Sequence, residues 1–217
     1  MLINLNLQNK KVVVVGAGKE ALKRIKSLLD QNCEITVISN EVNKSIENLA
    51  KRELIYLKKQ KLENADFLSS NKPHMVITTT NDSKLNQKII DKAKKNKIIA
   101  YSSDNPDASD FSNPAIIDFE KIVQIAIFTG GKSPIMSKKI KENVEHALEK
   151  IVTKEDLIQI KIQQIARDLA KDKITSQSQR KSFLNTIIND KKIKQLIKDR
   201  QSKKIENRIL TIMRDWE

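Results

Sequence analysis

Residues 12–21, Val12-Val13-Val14-Val15-Gly16-Ala17-Gly18-Lys19-Glu20-Ala21, constrain the fold more than any other stretch of this chain. Four consecutive valines with no polar alternation describe a strand covered on both faces, as in a parallel sheet. The strand ends in Gly-x-Gly-x-x-Ala, and a helical pattern follows at once over Leu22 to Asp30. That order of strand, tight turn and helix is the dinucleotide-binding unit. Gly16 permits the turn, Gly18 lets backbone approach a pyrophosphate, and Ala21 lets the helix pack closely on the strand. The free N–H groups at the helix start then face the phosphates. The chain has only four glycines, and the second pair, Gly130-Gly131, also stands between a predicted strand and a predicted helix.

The elements that follow keep the same rhythm. Glu34–Ser39, Leu54–Leu57, Met75–Thr80 and Ile98–Tyr101 read as strands, and Val42–Lys51 and Ser83–Lys95 as helices, with Ser83 as the expected cap. Leu2–Leu7 alternates apolar and polar residues and predicts a further short strand. Strands alternating with helices predict an α/β, Rossmann-like doubly wound parallel sheet. Ligands of such sheets bind beyond the carboxyl ends of the strands. Gly16–Ala21, Asn40–Glu41, Thr78–Asn81 and Ser103–Asp104 would share that rim.

Residues 103–114, rich in Asp, Asn, Ser and Pro, form a loop that breaks the rhythm. Strands are then expected over Ala115–Asp118 and Ile122–Phe128, and a helix from Ser133-Pro134 to about Lys150. Beyond Ile151 the pattern is helical only, over 155–169, 181–189 and 191–213, with 16 basic and 9 acidic residues.

Composition narrows the function classes. No apolar run approaches the roughly 18 residues of a membrane span, and the N-terminus lacks the pattern of a signal peptide. The single Cys33 cannot form an internal disulfide, which suits the cytoplasm. A net charge of +14 suits an anionic ligand, whereas an aromatic content of 4% argues against a nucleic-acid stacking surface. Two histidines and no Cys-x-x-Cys motif leave no metal-ligand set. Gly131-Lys132-Ser133 is not a phosphate-binding P-loop, because Ala126 stands where that motif requires glycine. The turn still offers N–H groups to an anion.

Asp104, Asp107 and Asp110 follow the last strand of the sheet at the ligand rim. A carboxylate there can take a proton while a nicotinamide takes a hydride, and Asp104 is nearest the strand end. The same residues can equally shape a turn. The acidic residue that meets the ribose should fall about 20 residues after the glycines, near Asn40-Glu41. No arginine lies there to meet a 2′-phosphate, which favours NAD over NADP.

Taken together, Lys10–Ala21, Thr78–Asp82 with Asn86, Asp104, Phe111, Pro114–Asp118 and Thr129-Gly130-Gly131-Lys132-Ser133-Pro134 resemble the precorrin-2 dehydrogenase family, the NAD-dependent part of siroheme synthase. The resemblance covers residues 1–150 and extends more loosely over the tail. It implies an NAD-binding domain over 1–112, a dimerisation segment over 113–150 and a helical domain over 151–217. It further implies oxidation of precorrin-2, an anionic tetrapyrrole with eight carboxylates, by a homodimer. Asp104 matches the family's catalytic aspartate. Gly16, Ala17, Gly18, Lys19, Glu20, Asn40, Glu41, Thr79 and Thr80 would hold the dinucleotide, and Thr129, Gly130, Gly131, Lys132 and Ser133 the substrate. Where other members carry two hydroxyl residues before the glycine pair, this chain has Phe128-Thr129. Some members also insert ferrous iron. A rival reading is a nucleotide-sensing or basic binding module that kept the fold and lost the chemistry.

Overall fold

The computed structural model describes residues 2–216, which divide between Asn113 and Pro114 into two compact units. The first unit is built as β1 (Lys11–Val15), α1 (Lys19–Leu28), β2 (Glu34–Ser39), α2 (Lys44–Lys51), β3 (Tyr56–Lys59), α3 (Phe67–Asn71), β4 (Met75–Thr78), α4 (Ser83–Lys95) and β5 (Ile99–Ser102). All strand pairs are parallel, in the order β3-β2-β1-β4-β5. This is the Rossmann-like sheet expected from the sequence.

The valine run explains why β1 is central. Val12 and Val14 pack with Ala21, Ile25 and Ile46 on one face, and Val13 and Val15 with Ile89, Ile90 and Ala93 on the other. Both faces of the strand are dry from Val12 to Val15, so none of these four positions tolerates a polar residue. Strand order reverses between β1 and β4, which opens the crevice where such sheets take ligands.

The first unit differs from expectation in four places, one being β3, which lies at Tyr56–Lys59, two residues beyond the expected Leu54–Leu57. Leu2–Leu7 is not a strand; Leu2 and Ile3 are exposed, and only Leu7 joins the core. The helix α4 is capped by Asp82, whose side chain accepts from Leu85 N at 2.9 Å, and Ser83 is the first helical residue. The short α3 carried no periodic signal. Beyond β5 the chain turns back along the sheet edge. Ala100 N donates to Asp110 Oδ2 at 2.8 Å, Asp110 N donates to Ala100 O at 2.8 Å, and Ser102 N donates to Ser109 Oγ at 2.9 Å. Phe111 then stacks on Tyr101 with ring centroids 5.1 Å apart.

The second unit begins with an antiparallel hairpin, β6 (Ala115–Phe119) and β7 (Val123–Ile127). The helices α5 (Pro134–Leu148), α6 (Lys154–Lys173), α7 (Gln177–Asn189), α8 (Lys191–Lys198) and α9 (Ser202–Arg214) follow. The helix expected over 191–213 is two helices, because the chain breaks at Arg200, where φ is +54°. Phe183, Ile187, Ile193 and Ile209 form the dry centre of the α6–α9 bundle.

Asp190 ties that bundle together. Its carboxylate caps α8 by accepting from Ile193 N at 2.7 Å and accepts two bonds from Arg208, at 2.7 and 3.2 Å. Burial alone would raise its pKa, but the Arg208 bonds and the cap hold the carboxyl below the ordinary aspartate value. Asp190→Ala therefore destabilises the second unit by about 2–3 kcal/mol, the sum of a cap and a charge-assisted bond. A depressed carboxyl contributes stability above its unfolded pKa and loses it as pH falls through the folded one. The difference between variant and wild type accordingly shrinks below about pH 4. Urea unfolding followed by fluorescence of Trp216, which meets Phe183 edge-on at 5.3 Å, measures both effects.

Candidate functional site

The crevice starts at the first turn. Gly16 N donates to Ile38 O at 2.9 Å, and Thr79 N donates to Val15 O at 2.8 Å, which clamps the turn between β2 and β4. Gly16 has φ +100°, and a Cβ there would lie 2.6 Å from Thr79 Oγ1 and 3.0 Å from the Thr79 carbonyl carbon. Gly18 is the reverse case. A Cβ there would meet nothing within 4 Å, and no side chain caps the α1 N-terminus that Gly18 leads. The first N–H groups of α1 therefore point, uncapped, into open space above a bare glycine, and this cradle fits a pyrophosphate.

The other expected cofactor residues border that space in different ways. Asn43 N donates to Ala17 O at 3.0 Å, which pins the segment carrying exposed Asn40 and Glu41 against the glycine turn. Ser39 Oγ donates to Glu41 O at 2.7 Å and fixes its backbone. Lys19 is exposed at the helix start. Glu20 is bonded to Lys23 and Arg24; burial opposes its ionisation, but these two cations hold its pKa below the ordinary value. The hydroxyls of Thr79 and Thr80 are committed within the protein, to Val15 O at 3.0 Å and Asn86 Oδ1 at 2.7 Å.

Asp104 follows β5 and is the most densely bonded carboxylate of the rim. Its Oδ1 accepts from Ser102 Oγ at 2.6 Å and from Asn86 Nδ2 at 3.0 Å. Burial would raise its pKa. Hydrogen bonds from Ser102, Ser83, its own backbone and Asn86 outweigh that and hold it below the ordinary aspartate value. The group is thus an ionised proton acceptor at neutral pH, facing outward at the carboxyl end of the sheet. The third aspartate of the cluster, Asp110, serves structure instead: it receives the Ala100 N–H and pairs with Lys94 at 3.7 Å.

Beneath Asp104 lies a buried polar layer whose role sequence reading missed. Thr78 Oγ1 and Ser102 Oγ are 3.0 Å apart, and Asn86 is 1% exposed. The available signal was one amide among the apolar residues Leu85, Ile89, Ile90 and Ala93 on the inner face of α4. A buried amide demands partners.

The glycine pair of the second unit forms a closed turn, with Lys132 N donating to Thr129 O at 3.2 Å. Ser133 Oγ caps α5 by accepting from Met136 N at 3.2 Å, and Thr129 Oγ1 lies 2.8 Å from Ser137 Oγ. Gly130, Gly131 and Lys132 are exposed at this helix start.

His74 is structural, its Nδ1 accepting from Lys11 N at 3.1 Å. Cys33 is half-buried, which pushes its thiol pKa up. Among the described residues no group of three or more His, Cys, Asp or Glu is placed to hold a metal, and no helix is long and apolar enough to cross a membrane.

Comparison with known proteins agrees with this geometry. The model of an NAD(P)-binding family (NAD_binding_7) matches residues 3–115. Siroheme synthase of Buchnera aphidicola is 32% identical over 147 residues, covering 67% of this chain and 30% of that protein. Siroheme synthase of Methylococcus capsulatus is also 32% identical, over 66% of this chain and 29% of that protein. The chain thus spans about a third of the length of these relatives. Precorrin-2 dehydrogenase of Bacillus subtilis is 27% identical over 68% of this chain and 88% of that protein. A solved structure named SirC, precorrin-2 dehydrogenase, shares the fold with a TM-score of 0.72 at 23% identity, covering 99% of both chains. The chain belongs to this NAD(P)-binding family, as a homologue of precorrin-2 dehydrogenases and siroheme synthases.

Proposed function

We propose that this protein oxidises precorrin-2 to sirohydrochlorin with NAD as acceptor. The observation that carries the reading is Asp104, an ionised carboxylate on the same sheet rim as an uncapped, glycine-led helix start. Its support from outside is the likeness to proteins named for that oxidation.

Bound NAD supplies the hydride acceptor. Gly16, Ala17 and Gly18 form the cradle, and the first N–H groups of α1 neutralise the pyrophosphate. Asn40 and Glu41 meet the ribose. Glu41 offers a carboxylate where NADP would bring a second anion, and the neighbouring Lys59 is already paired with Glu47 at 2.7 Å. NAD should consequently bind on the order of 10-fold more tightly than NADP or better, the effect of about 1.4 kcal/mol, as measured by calorimetric titration. Asp104 takes the proton that the substrate loses as its hydride departs. The turn at Thr129, Gly130, Gly131, Lys132 and Ser133 offers N–H groups and an ammonium to a carboxylate of the substrate. The net charge of +14 draws the polyanion in.

On this reading the chain works in the cytoplasm as a homodimer, with residues 113–150 as the dimerisation segment between a cofactor domain (1–112) and a helical domain (151–217). Supporting the dimer, α5 has no fully buried residue, and it leaves Ile135 82% exposed beside exposed Met136 and Ile140. The double change Ile135→Glu and Ile140→Glu is expected to convert a dimer to a monomer in sedimentation velocity with the helical signal intact.

The deciding assay is anaerobic incubation with precorrin-2 and NAD, following NADH and sirohydrochlorin by absorbance. Both products should appear in equal amounts. No turnover from folded, NAD-binding protein would remove the dehydrogenase reading.

A further inference from the structure

We infer that Asn86, acting with Ser102, is a positioning residue: together they hold Asp104 Oδ1 so that Oδ2 is the atom that takes the proton. This inference rests on the reading of Asp104 as the proton acceptor. It assigns a role to two residues that touch neither cofactor nor substrate.

Donor and acceptor counting fixes the directions at the Asn86 amide and the Ser102 hydroxyl. Asp82 N donates to Thr80 Oγ1 at 3.2 Å, and the single Thr80 hydroxyl hydrogen has two acceptors in reach, Asn86 Oδ1 at 2.7 Å and Asp82 O at 3.4 Å, of which the amide oxygen is the nearer. The other end of the amide fixes its orientation: Thr80 O, 2.9 Å from Asn86 Nδ2, is a carbonyl that can only accept, so a flip would set two oxygens against each other there, and Oδ1 is the atom that meets the Thr80 hydroxyl. Its two Nδ2 hydrogens go to Thr80 O at 2.9 Å and Asp104 Oδ1 at 3.0 Å. Each polar atom of a side chain 1% exposed is thus used. On the other side, Ser102 has one hydroxyl hydrogen and spends it on Asp104 Oδ1 at 2.6 Å. The contact of 3.0 Å between Thr78 and Ser102 must then run from Thr78 Oγ1 to Ser102 Oγ. Two buried anchors, one on α4 and one on β5, converge on one carboxylate oxygen.

Oδ1 already holds two donors, so a proton arriving there would displace one of them. Oδ2 takes it instead: the substrate loses a hydride to the nicotinamide and a proton to Oδ2, and the proton later passes to water. The groups bonded to Asp104 from α4, β5 and its own loop, namely Asn86, Ser83, Ser102 and its backbone N–H, are all neutral. They bind the ionised form, and removing any one of them raises the carboxyl pKa.

The test compares Asn86→Ala, Ser102→Ala and Asp104→Asn, alone and combined, with NAD affinity and thermal midpoint measured for each. Asn86→Ala is expected to lower kcat by on the order of 10-fold or more, the weight of a hydrogen bond to a charged group. The KM for NAD stays unchanged, and the acid limb of the kcat profile moves up by about one pH unit, the same tenfold. Ser102→Ala moves both quantities the same way and carries the test if Asn86→Ala does not fold. In the Asp104→Asn background neither change lowers the residual rate further. A wild-type kcat and pH profile in a folded Asn86→Ala or Ser102→Ala overturns the inference while Asp104→Asn remains inactive. Full activity of Asp104→Asn, by contrast, overturns the proton-acceptor reading itself.

Discussion

Asp104→Asn is expected to lower kcat for precorrin-2 oxidation by about 10²- to 10⁴-fold, the range that a positioned proton acceptor contributes. An amide is nearly isosteric and can still receive the Ser102 hydroxyl on its oxygen, so the loop should keep its place. It has no charge to accept a proton and turns one N–H pair outward. On the proposed reading NAD affinity depends on the α1 start and on Asn40–Glu41, and it should stay within about twofold of wild type, about 0.4 kcal/mol. Steady-state rates beside NAD titration separate the two quantities. A matching loss of NAD binding would mean that the loop had moved, and the role assigned to the carboxylate would lose its support.

Gly16→Ala is expected to cost about 4 kcal/mol of stability in the first unit. Two terms add. A residue with a Cβ at φ +100° is strained by about 1–3 kcal/mol. Crowding against Thr79 adds roughly 1–3 kcal/mol. The neighbour cannot yield, because Thr79 Oγ1 and Thr79 N both bond Val15 O and the closest atoms include backbone. That loss is a large share of a typical domain stability of roughly 5–15 kcal/mol. Gly18→Ala is the matched control. Its Cβ enters open space at φ −85°, so stability changes by less than about 1 kcal/mol, while the added methyl stands where the pyrophosphate should lie and weakens NAD. Urea denaturation by far-ultraviolet circular dichroism and NAD titration should therefore rank the two variants in opposite order.

How far the site could be read in advance depended on the range of the interactions involved. Val12–Val15 was legible because four buried valines can only be a strand with both faces covered, and Gly16–Ala21 follows it locally. Asp104 was legible as a polar residue just past the last strand of a parallel sheet. The role of Asn86, a residue already included in the family resemblance, was not, because its partner Asp104 is 18 residues away and on another element. An amide on a helix reads the same whether it faces water or a neighbour. Leu2–Leu7 misled through its alternation: a pattern of period two needs a sheet edge to pair with, and the ladders end at β3 and β5 without it. The break at Arg200 had no glycine or proline to announce it, and the short α3 held too few residues for any periodicity to register.

The return of residues 103–110 along β5 has a consequence beyond the reaction. An unpaired strand edge is a template on which another chain can add itself and begin an aggregate. Here the outward N–H groups of Ala100 and Ser102 are taken by Asp110 and Ser109, so that template is occupied by the chain's own loop. The loop that carries Asp104 is thus also the guard of the sheet, and loosening it at Asp110 exposes a sticky edge at the same moment as it frees the Asp104 carboxylate from its place after β5.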